Sequence, residues 1–301
     1  MAVGKLFIAQ FTSMGSPCEL QCYTSSQAEF DFVAQQVTSD LARLESKYSR
    51  YRETSFLSAI NRSAEQGKSI EVDAETAHLL NYAQTCYEQS DGLFDITSGV
   101  LRKLWSFKAT QSAVPEQADI DVLLQNVGWE KVTWDGAVLH FSRTGMEIDF
   151  GGIVKEYAAD RAAALCASLN IKHGIVNLGG DIKIIGPHPD FTPWHIGVRD
   201  PMDKQRVSSV VQLTSGAMAS SGDYERCIEV DGKRYGHILN PKTGWPVQHF
   251  ASITVVSDFC VLAGSASTIA MLKEQDGVAW LNLLGLAHQW ITVDGQRGGN
   301  L

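Results

Sequence analysis

Ala217-Met218-Ala219-Ser220-Ser221-Gly222-Asp223-Tyr224-Glu225-Arg226 leads through Cys227-Ile228-Glu229-Val230-Asp231-Gly232 to Tyr235-Gly236-His237-Ile238-Leu239-Asn240-Pro241-Lys242-Thr243-Gly244. Cys227 to Val230 alternates apolar with polar and meets Asp231-Gly232, a dipeptide suited to the positive φ values of a two-residue hairpin turn. The spacing predicts a hairpin that brings Ser220, Ser221 and Asp223 near His237 across two strands. Asn240-Pro241-Lys242-Thr243-Gly244 then ends the second strand, because proline fixes φ and gives no ladder hydrogen bond. His237 therefore falls at a strand end among polar groups. It reads either as a functional imidazole or as a satisfied core histidine.

Outward from this hairpin, short strands and helices cluster rather than alternate. Phe7 to Tyr23 reads as two strands around Met14-Gly15-Ser16-Pro17. Ser26 with Glu29 predicts a capping box, and Phe30, Val33, Val37, Leu41, Leu44 and Tyr48 make one helical stripe. A polar loop is expected from Ser49 through Asn61. Asp73 caps a second helix, a third lies near Gly99 to Phe107, and Pro115 opens a fourth that ends at Gly128. Strands are expected at Lys131–Trp134, Val138–Phe141 and Met146–Phe150, and a helix follows Gly151-Gly152. Strands at Gly174–Leu178, Asp181–Ile185, His195–Arg199 and Ser209–Thr214 precede the hairpin. A strand at Ser252–Val256, helices near Leu262–Lys273 and Val278–Leu284, and a strand near Gln289–Val293 complete the chain. Grouped strands and grouped helices indicate an α+β fold with mixed or antiparallel sheets. With no internal repeat or low-complexity linker, residues 1–301 are expected to form one unit.

The 301 residues are 44% hydrophobic and 20% charged, ordinary for a soluble globular chain, and the formal net charge is -9. That balance argues against a nucleic-acid partner, which needs a basic surface. No run of eighteen apolar residues is present, so no membrane span is expected. The first ten residues lack a signal-peptide core, which places the chain as given in the cytoplasm, or in the periplasm if a leader was removed. Six cysteines without paired CxxC spacing suggest neither zinc nor a disulfide framework, and read as small buried hydrophobes.

Familiar motifs are absent: Gly67-Lys68-Ser69 imitates the end of a Walker loop, but Arg62 stands where its first glycine is needed, and there is no GxGxxG, GxSxG or HExxH. Ile148-Asp149-Phe150-Gly151-Gly152-Ile153-Val154-Lys155 is a positive signal. A glycine pair at a helix start lets phosphate approach free N–H groups, with Lys155 one turn in. A plain strand-to-helix turn is the competing reading. Asn177-Leu178-Gly179-Gly180-Asp181 is either a second close-approach turn or a bulged hairpin. Leu93-Phe94-Asp95 precedes Thr97 and Ser98, either of which could simply cap a helix.

Together these pieces resemble the ApbE-type FAD:protein FMN transferases. Seven blocks in order carry the resemblance: Met14-Gly15-Ser16; Ser49-Arg50-Tyr51 through Asn61; Leu93-Phe94-Asp95; Asp149 to Asp160; Asn177 to Asp181; Trp194 to Pro201; and Ser220 to Gly244. The resemblance implies a single T-fold-like α+β unit that takes FAD as substrate and needs Mg²⁺. It implies attachment of FMN, through its phosphate, to a threonine of a target flavoprotein with release of AMP. By the same resemblance Met14, Tyr51, Leu93, Phe94, Asp95, Asp149 and Lys155 line the FAD site, and His237 takes the catalytic position. Magnesium falls to the main-chain oxygen of Gly152, a carboxylate and the Thr268 hydroxyl.

The chain departs from the family pattern in four places. Gly264 stands where the family has a metal-binding aspartate, and Glu156 where it has a glycine after the lysine. Asn240 replaces an aspartate and Ser220 a threonine. Asp258, upstream of Gly264, is one replacement for the missing carboxylate; a weakly held metal is the other reading. Two further functional readings follow: an FAD-binding relative that has lost transfer, and an FAD pyrophosphatase giving FMN and AMP.

Overall fold

The computed structural model describes residues 4–107, 113–203, 205–224 and 226–301. Strands β1 (Lys5–Ser13) and β2 (Ser16–Thr24) pair antiparallel up to Ser13↔Ser16, leaving Met14 and Gly15 as a two-residue turn. Met14 takes φ 51°, uncommon for a residue with a side chain. Its amide donates to Glu45 at 2.9 Å, tying the turn to the first helix. That helix, α1 (Gln27–Tyr48), starts where the Ser26 side chain accepts the Glu29 N–H, and it buries the expected six-residue stripe. The Glu29 carboxylate bonds the amide of Ser25 instead of that of Ser26, so the box closes one residue early.

The expected loop through Asn61 is in large part a helix, α2 (Phe56–Glu65), capped by Ser55 and burying Leu57, Ile60 and Ala64. Its polar residues lie on the outer face and hid a sparse apolar stripe. Strand β3 (Ile70–Glu71) and helix α3 (Ala74–Gln89) follow, the helix capped by Asp73 through the Thr76 amide. A 3-10 segment covers Ile96–Lys103, and helix α4 (Gln117–Leu124) stops short of Gly128. Strands β4 (Val132–Trp134) and β5 (Val138–Phe141) join β3 in a small sheet of order β3-β5-β4.

Met146–Phe150, expected as a strand, joins none of the sheets among the described residues. Its backbone is satisfied otherwise. The Asn61 side chain accepts from the Ile148 amide at 2.8 Å and donates to its carbonyl at 3.0 Å, while the Asp149 amide donates to the Ile96 carbonyl. An extended apolar run predicts a strand, but here a side-chain amide replaces the neighbouring strand.

After helix α5 (Val154–Ser168) come β6 (Gly174–Leu178), β7 (Asp181–Gly186), β8 (Trp194–Arg199), β9 (Val207–Leu213) and β10 (Ala217–Gly222). The hairpin β11 (Cys227–Val230) and β12 (Lys233–Gly236) turns at Asp231 and Gly232, whose φ values are 53° and 73°. Strand β13 (Phe250–Ser257), helices α6 (Cys260–Leu272) and α7 (Gly277–Leu283), and strands β14 (Ala287–Thr292) and β15 (Arg297–Gly299) follow.

Eight strands form the main sheet in the order β1-β2-β6-β7-β10-β13-β14-β15. Its pairs are antiparallel. Alternation decides which side chain goes where. Ile175, Ile182, Ile184 and Met218 point to one face and are covered by the separate β8–β9 ribbon through Trp194, Ile196, Val198 and Val211. Val176, Leu178, Ala217 and Ala219 point to the other, and share a core with α1, α5 and α6. Asp181 and Ser221 belong by the same alternation to the helix-covered face. This fold is α+β, as the grouped elements predicted.

Candidate functional site

The turn before α5 is built from several sequence blocks. Gly151 donates its amide to Asp149 Oδ1 at 2.9 Å, folding the loop back on itself. The other carboxylate oxygen of Asp149 pairs with Arg50, which also donates to the Tyr51 hydroxyl at 3.1 Å and lies over that ring. A Cβ at Gly99 would lie 2.7 Å from Asp149 Cβ, so the 3-10 segment presses directly on the turn. A Cβ at Gly152 would lie 3.3 Å from the Phe94 ring. Phe94, Asp149, Gly152, Arg50 and Tyr51 thus meet at one place, with Tyr51 largely in solvent at 80% exposure.

Lys155 stands one helical turn further and joins this place to the sheet. Its ammonium is 2.7 Å from Asp181, which is buried at the start of β7. Burial opposes the charged lysine, but Asp181 and Glu156 outweigh it and hold the Lys155 pKa above its ordinary value. Gly179, with φ 65°, brings backbone beside both: a Cβ there would lie 2.7 Å from Ser16 Cβ and 3.7 Å from the Lys155 nitrogen. The Met14-Gly15-Ser16 turn, the Gly179-Gly180 turn and Lys155 therefore form one wall. Glycine at 179 is needed twice, for its φ and for the approach of Ser16.

A third group lines α6. Ser221 Oγ is 2.8 Å from both Ser267 Oγ and Thr268 Oγ1. On the facing side of α5, Glu156 is 8% exposed and points at α6: a Cβ at Gly264 would lie 2.4 Å from its Cγ. Burial, and then the charge of Asp181, push the Glu156 carboxyl upward, with Lys155 opposing. Asp160, one turn later, caps α6 through the amides of Cys260 and Val261 at 2.8 and 2.9 Å.

The hairpin brings only part of the expected set to His237. A Cβ at Gly236 would lie 2.5 Å from Asp223 Cβ, so Asp223 is packed beside the residue that precedes the imidazole. Asp223 is buried, which raises its pKa, while its Arg234 partner at 3.2 Å opposes that rise. Ser221 turns to α6 instead, and Ser220 bonds Thr254 Oγ1 across the ladder at 2.8 Å. His237 is exposed and makes an edge contact with Phe107, ring centres 6.5 Å apart. Leu239, two residues on, packs on Val100 and Leu101. The 3-10 segment thus touches the His237 strand end on one side and, through Gly99, Asp149 on the other.

Asp95 is turned inward. Both its carboxylate oxygens are taken, one by the amide and hydroxyl of Thr97 and the other by the Trp129 amide. Leu93 and Met14 are partly buried against the main core. Arg50, Asp181 and Ser267 are polar groups at this place to which the sequence assigned no role, and Glu156 entered only as a departure from the family pattern. Asp181 had a signal, since it directly follows the Gly179-Gly180 pair. Glu156 had one in its departure from the family pattern, but its burial was not readable because it depends on a glycine in a distant helix.

A lysine and two glycine turns beside an aromatic ring, on an antiparallel α+β frame, make an arrangement suited to a nucleotide phosphate. Residues 14–289 match the ApbE family, and the chain belongs to it. It is 31% identical over 256 residues to the FAD:protein FMN transferase of Haemophilus influenzae, covering 80% of this chain and 72% of that one. It is 30% identical over 258 residues to the protein of the same name from Vibrio cholerae, covering 84% and 75%. Among solved structures, the ApbE protein of Thermotoga maritima superposes with a TM-score of 0.90 at 32% identity, covering 98% of this chain and 97% of that one. The flavinyl transferase ApbE of Pseudomonas stutzeri, in its apo form, gives 0.87 at 26% identity, covering 100% and 96%.

Proposed function

We propose that this chain transfers FMN from FAD to a threonine hydroxyl of a target flavoprotein, with AMP as the leaving group and Mg²⁺ as the assisting ion. One observation carries the reading: Lys155, Gly179 and Ser16 share a wall with the Gly152 turn, where Phe94 lies against the backbone. A cation and close-approaching backbone suit a diphosphate, and aromatic rings suit the flat ends of the dinucleotide.

The chain's own residues then divide the work. Lys155 faces the diphosphate charge, its position fixed by Asp181. Tyr51, largely in solvent, offers a ring surface, and the buried Phe94 backs the Gly152 turn. His237, exposed at its strand end, accepts the proton of the acceptor hydroxyl as that oxygen bonds to the FMN phosphorus. The bond from that phosphorus to the AMP oxygen breaks, and AMP departs. Such general-base help is typically worth ~10²–10⁴-fold.

Among the described residues no group of three or more His, Cys, Asp and Glu side chains is placed to hold a metal. The groups that meet Thr268 are instead hydroxyls, oxygen donors of the kind magnesium accepts. The Gly152 carbonyl, Thr268 and a carboxylate would hold it. When bound, it supplies neutralisation of charge on the diphosphate.

Incubation with FAD, Mg²⁺ and a flavoprotein domain should give a fluorescent protein band that survives denaturation. Absence of that band at every Mg²⁺ concentration overturns the reading. AMP release without any acceptor protein would replace it with FAD hydrolysis.

A further inference from the structure

Glu156 is buried, yet its Oε2 receives no hydrogen bond. Buried polar atoms are nearly always satisfied, so one that is not requires a cause. Three features of its surroundings supply one. Its stem occupies the space that a side chain at Gly264 would fill, and its Oε1 would lie 3.1 Å from a Cβ there. Ser267 and Thr268 follow Gly264 by three and four residues, hence share its helix face, and Ser221 bridges their hydroxyls. The nearest charges are the Asp181 carboxylate and the Lys155 ammonium, and these are already paired with each other at 2.7 Å.

We infer that Glu156, whose stem fills the space Gly264 leaves on α6, supplies from α5 the carboxylate that holds the divalent cation. An oxygen without a donor, opposite the helix face that carries the Ser267 and Thr268 hydroxyls, suits a hard cation. The inference rests on the flavin-transfer reading for the purpose of the ion, not for its ligand. It also joins two departures from the family pattern into one. The side chain lost at 264 and the side chain gained at 156 meet at the same point, so the carboxylate has crossed from one helix to the other. Asp258 is the weaker replacement: it is exposed ahead of α6, whereas Glu156 touches Gly264.

The test is Mn²⁺ titration of the full chain with FAD present, read by loss of the free-ion electron paramagnetic resonance signal. Glu156→Gln should weaken Mn²⁺ at least tenfold. Its unfolding midpoint without metal should match or exceed that of the unaltered chain, because the amide removes an undonated charge. Gly264→Asp alone should be overfilled and melt lower. The exchanged pair Glu156→Gly with Gly264→Asp should bind Mn²⁺ within about threefold of the starting protein.

Unchanged Mn²⁺ affinity in Glu156→Gln overturns the inference, as does an exchanged pair that binds no better than Glu156→Gln. Target labelling alongside that unchanged affinity removes Glu156 and leaves flavin transfer standing. Loss of Mn²⁺ from Glu156→Gln in a protein that labels no target supports the ligand and removes the transfer reading.

Discussion

The Lys155 ammonium and a carboxylate oxygen of Asp181 lie 2.7 Å apart, joining the first turn of α5 to the first residue of β7. Asp181 is nearly inaccessible while Lys155 retains an outlet to solvent, its side chain 29% exposed. The pair therefore serves both as a brace and as a charge presented toward the Gly179 turn. Removing one partner of a buried ion pair typically costs 3–5 kcal/mol. Lys155→Met should lower stability by about 3 kcal/mol and weaken FAD at least tenfold. Thermal unfolding and a fluorescence titration of FAD check the two effects separately. An unchanged melting midpoint would show that Asp181 does not depend on this partner.

His237 is expected to behave differently, since it is exposed at its strand end. His237→Ala should cut labelling of a target flavoprotein by a factor of at least ~10² while FAD binding stays nearly intact. Labelling at the original rate would remove the imidazole from the mechanism.

Asp95 should act through stability. It holds two amides and one hydroxyl, and the Trp129 amide and Thr97 groups have few other options where they are buried. Leaving buried donors unsatisfied costs roughly 1–3 kcal/mol each. Asp95→Ala should therefore lower the unfolding free energy by about 2 kcal/mol or more, measured in urea. A loss of FAD affinity with no loss of stability would instead place its carboxylate in contact with the nucleotide.

Glu75 gives a pH dependence of definite sign. Arg43 forks onto it with bonds of 2.7 and 2.9 Å, and Lys47 adds another at 2.9 Å. The Arg43 hydrogen bonds, helped by Lys47 against burial, lower its pKa from 4.5 to about 2. A depressed folded pKa means the contribution is whole above about 4.5 and is lost as pH falls toward 2. Glu75→Gln should flatten the stability profile in that window and nowhere above it. Denaturation midpoints measured between pH 2 and 5 for both proteins decide this, and parallel curves would exclude Glu75 as a source of acid sensitivity.

Local chemistry made much of the frame readable. Ser26, Asp73 and Asp231-Gly232 each act on backbone within a few residues, so their caps and turn stand where the sequence puts them. Met146–Phe150 was misread because its partner is the Asn61 side chain, and no periodicity announces a lone amide standing in for a strand. The helix over Phe56–Glu65 was hidden by serines and charges that outnumber its three inward residues. At the site, motif order placed Lys155, Gly152 and Phe94 at a common wall. The orientation of Ser221 toward α6, away from the imidazole, was hidden because strand alternation, not closeness in sequence, decides it.

The pairing of β2 with β6 joins Cys22 to Gly174. At about 5–20 residues per second, a ribosome needs roughly eight to thirty seconds after making the first hairpin to deliver its lasting neighbour. For most of that interval the inward-facing half of the hairpin has the nascent α1 to lie upon, and α5 follows only shortly before β6. Synthesis speed and early chaperone contact are accordingly expected to govern yield at this end of the polypeptide more than at the other, where β13 and β14 emerge almost together.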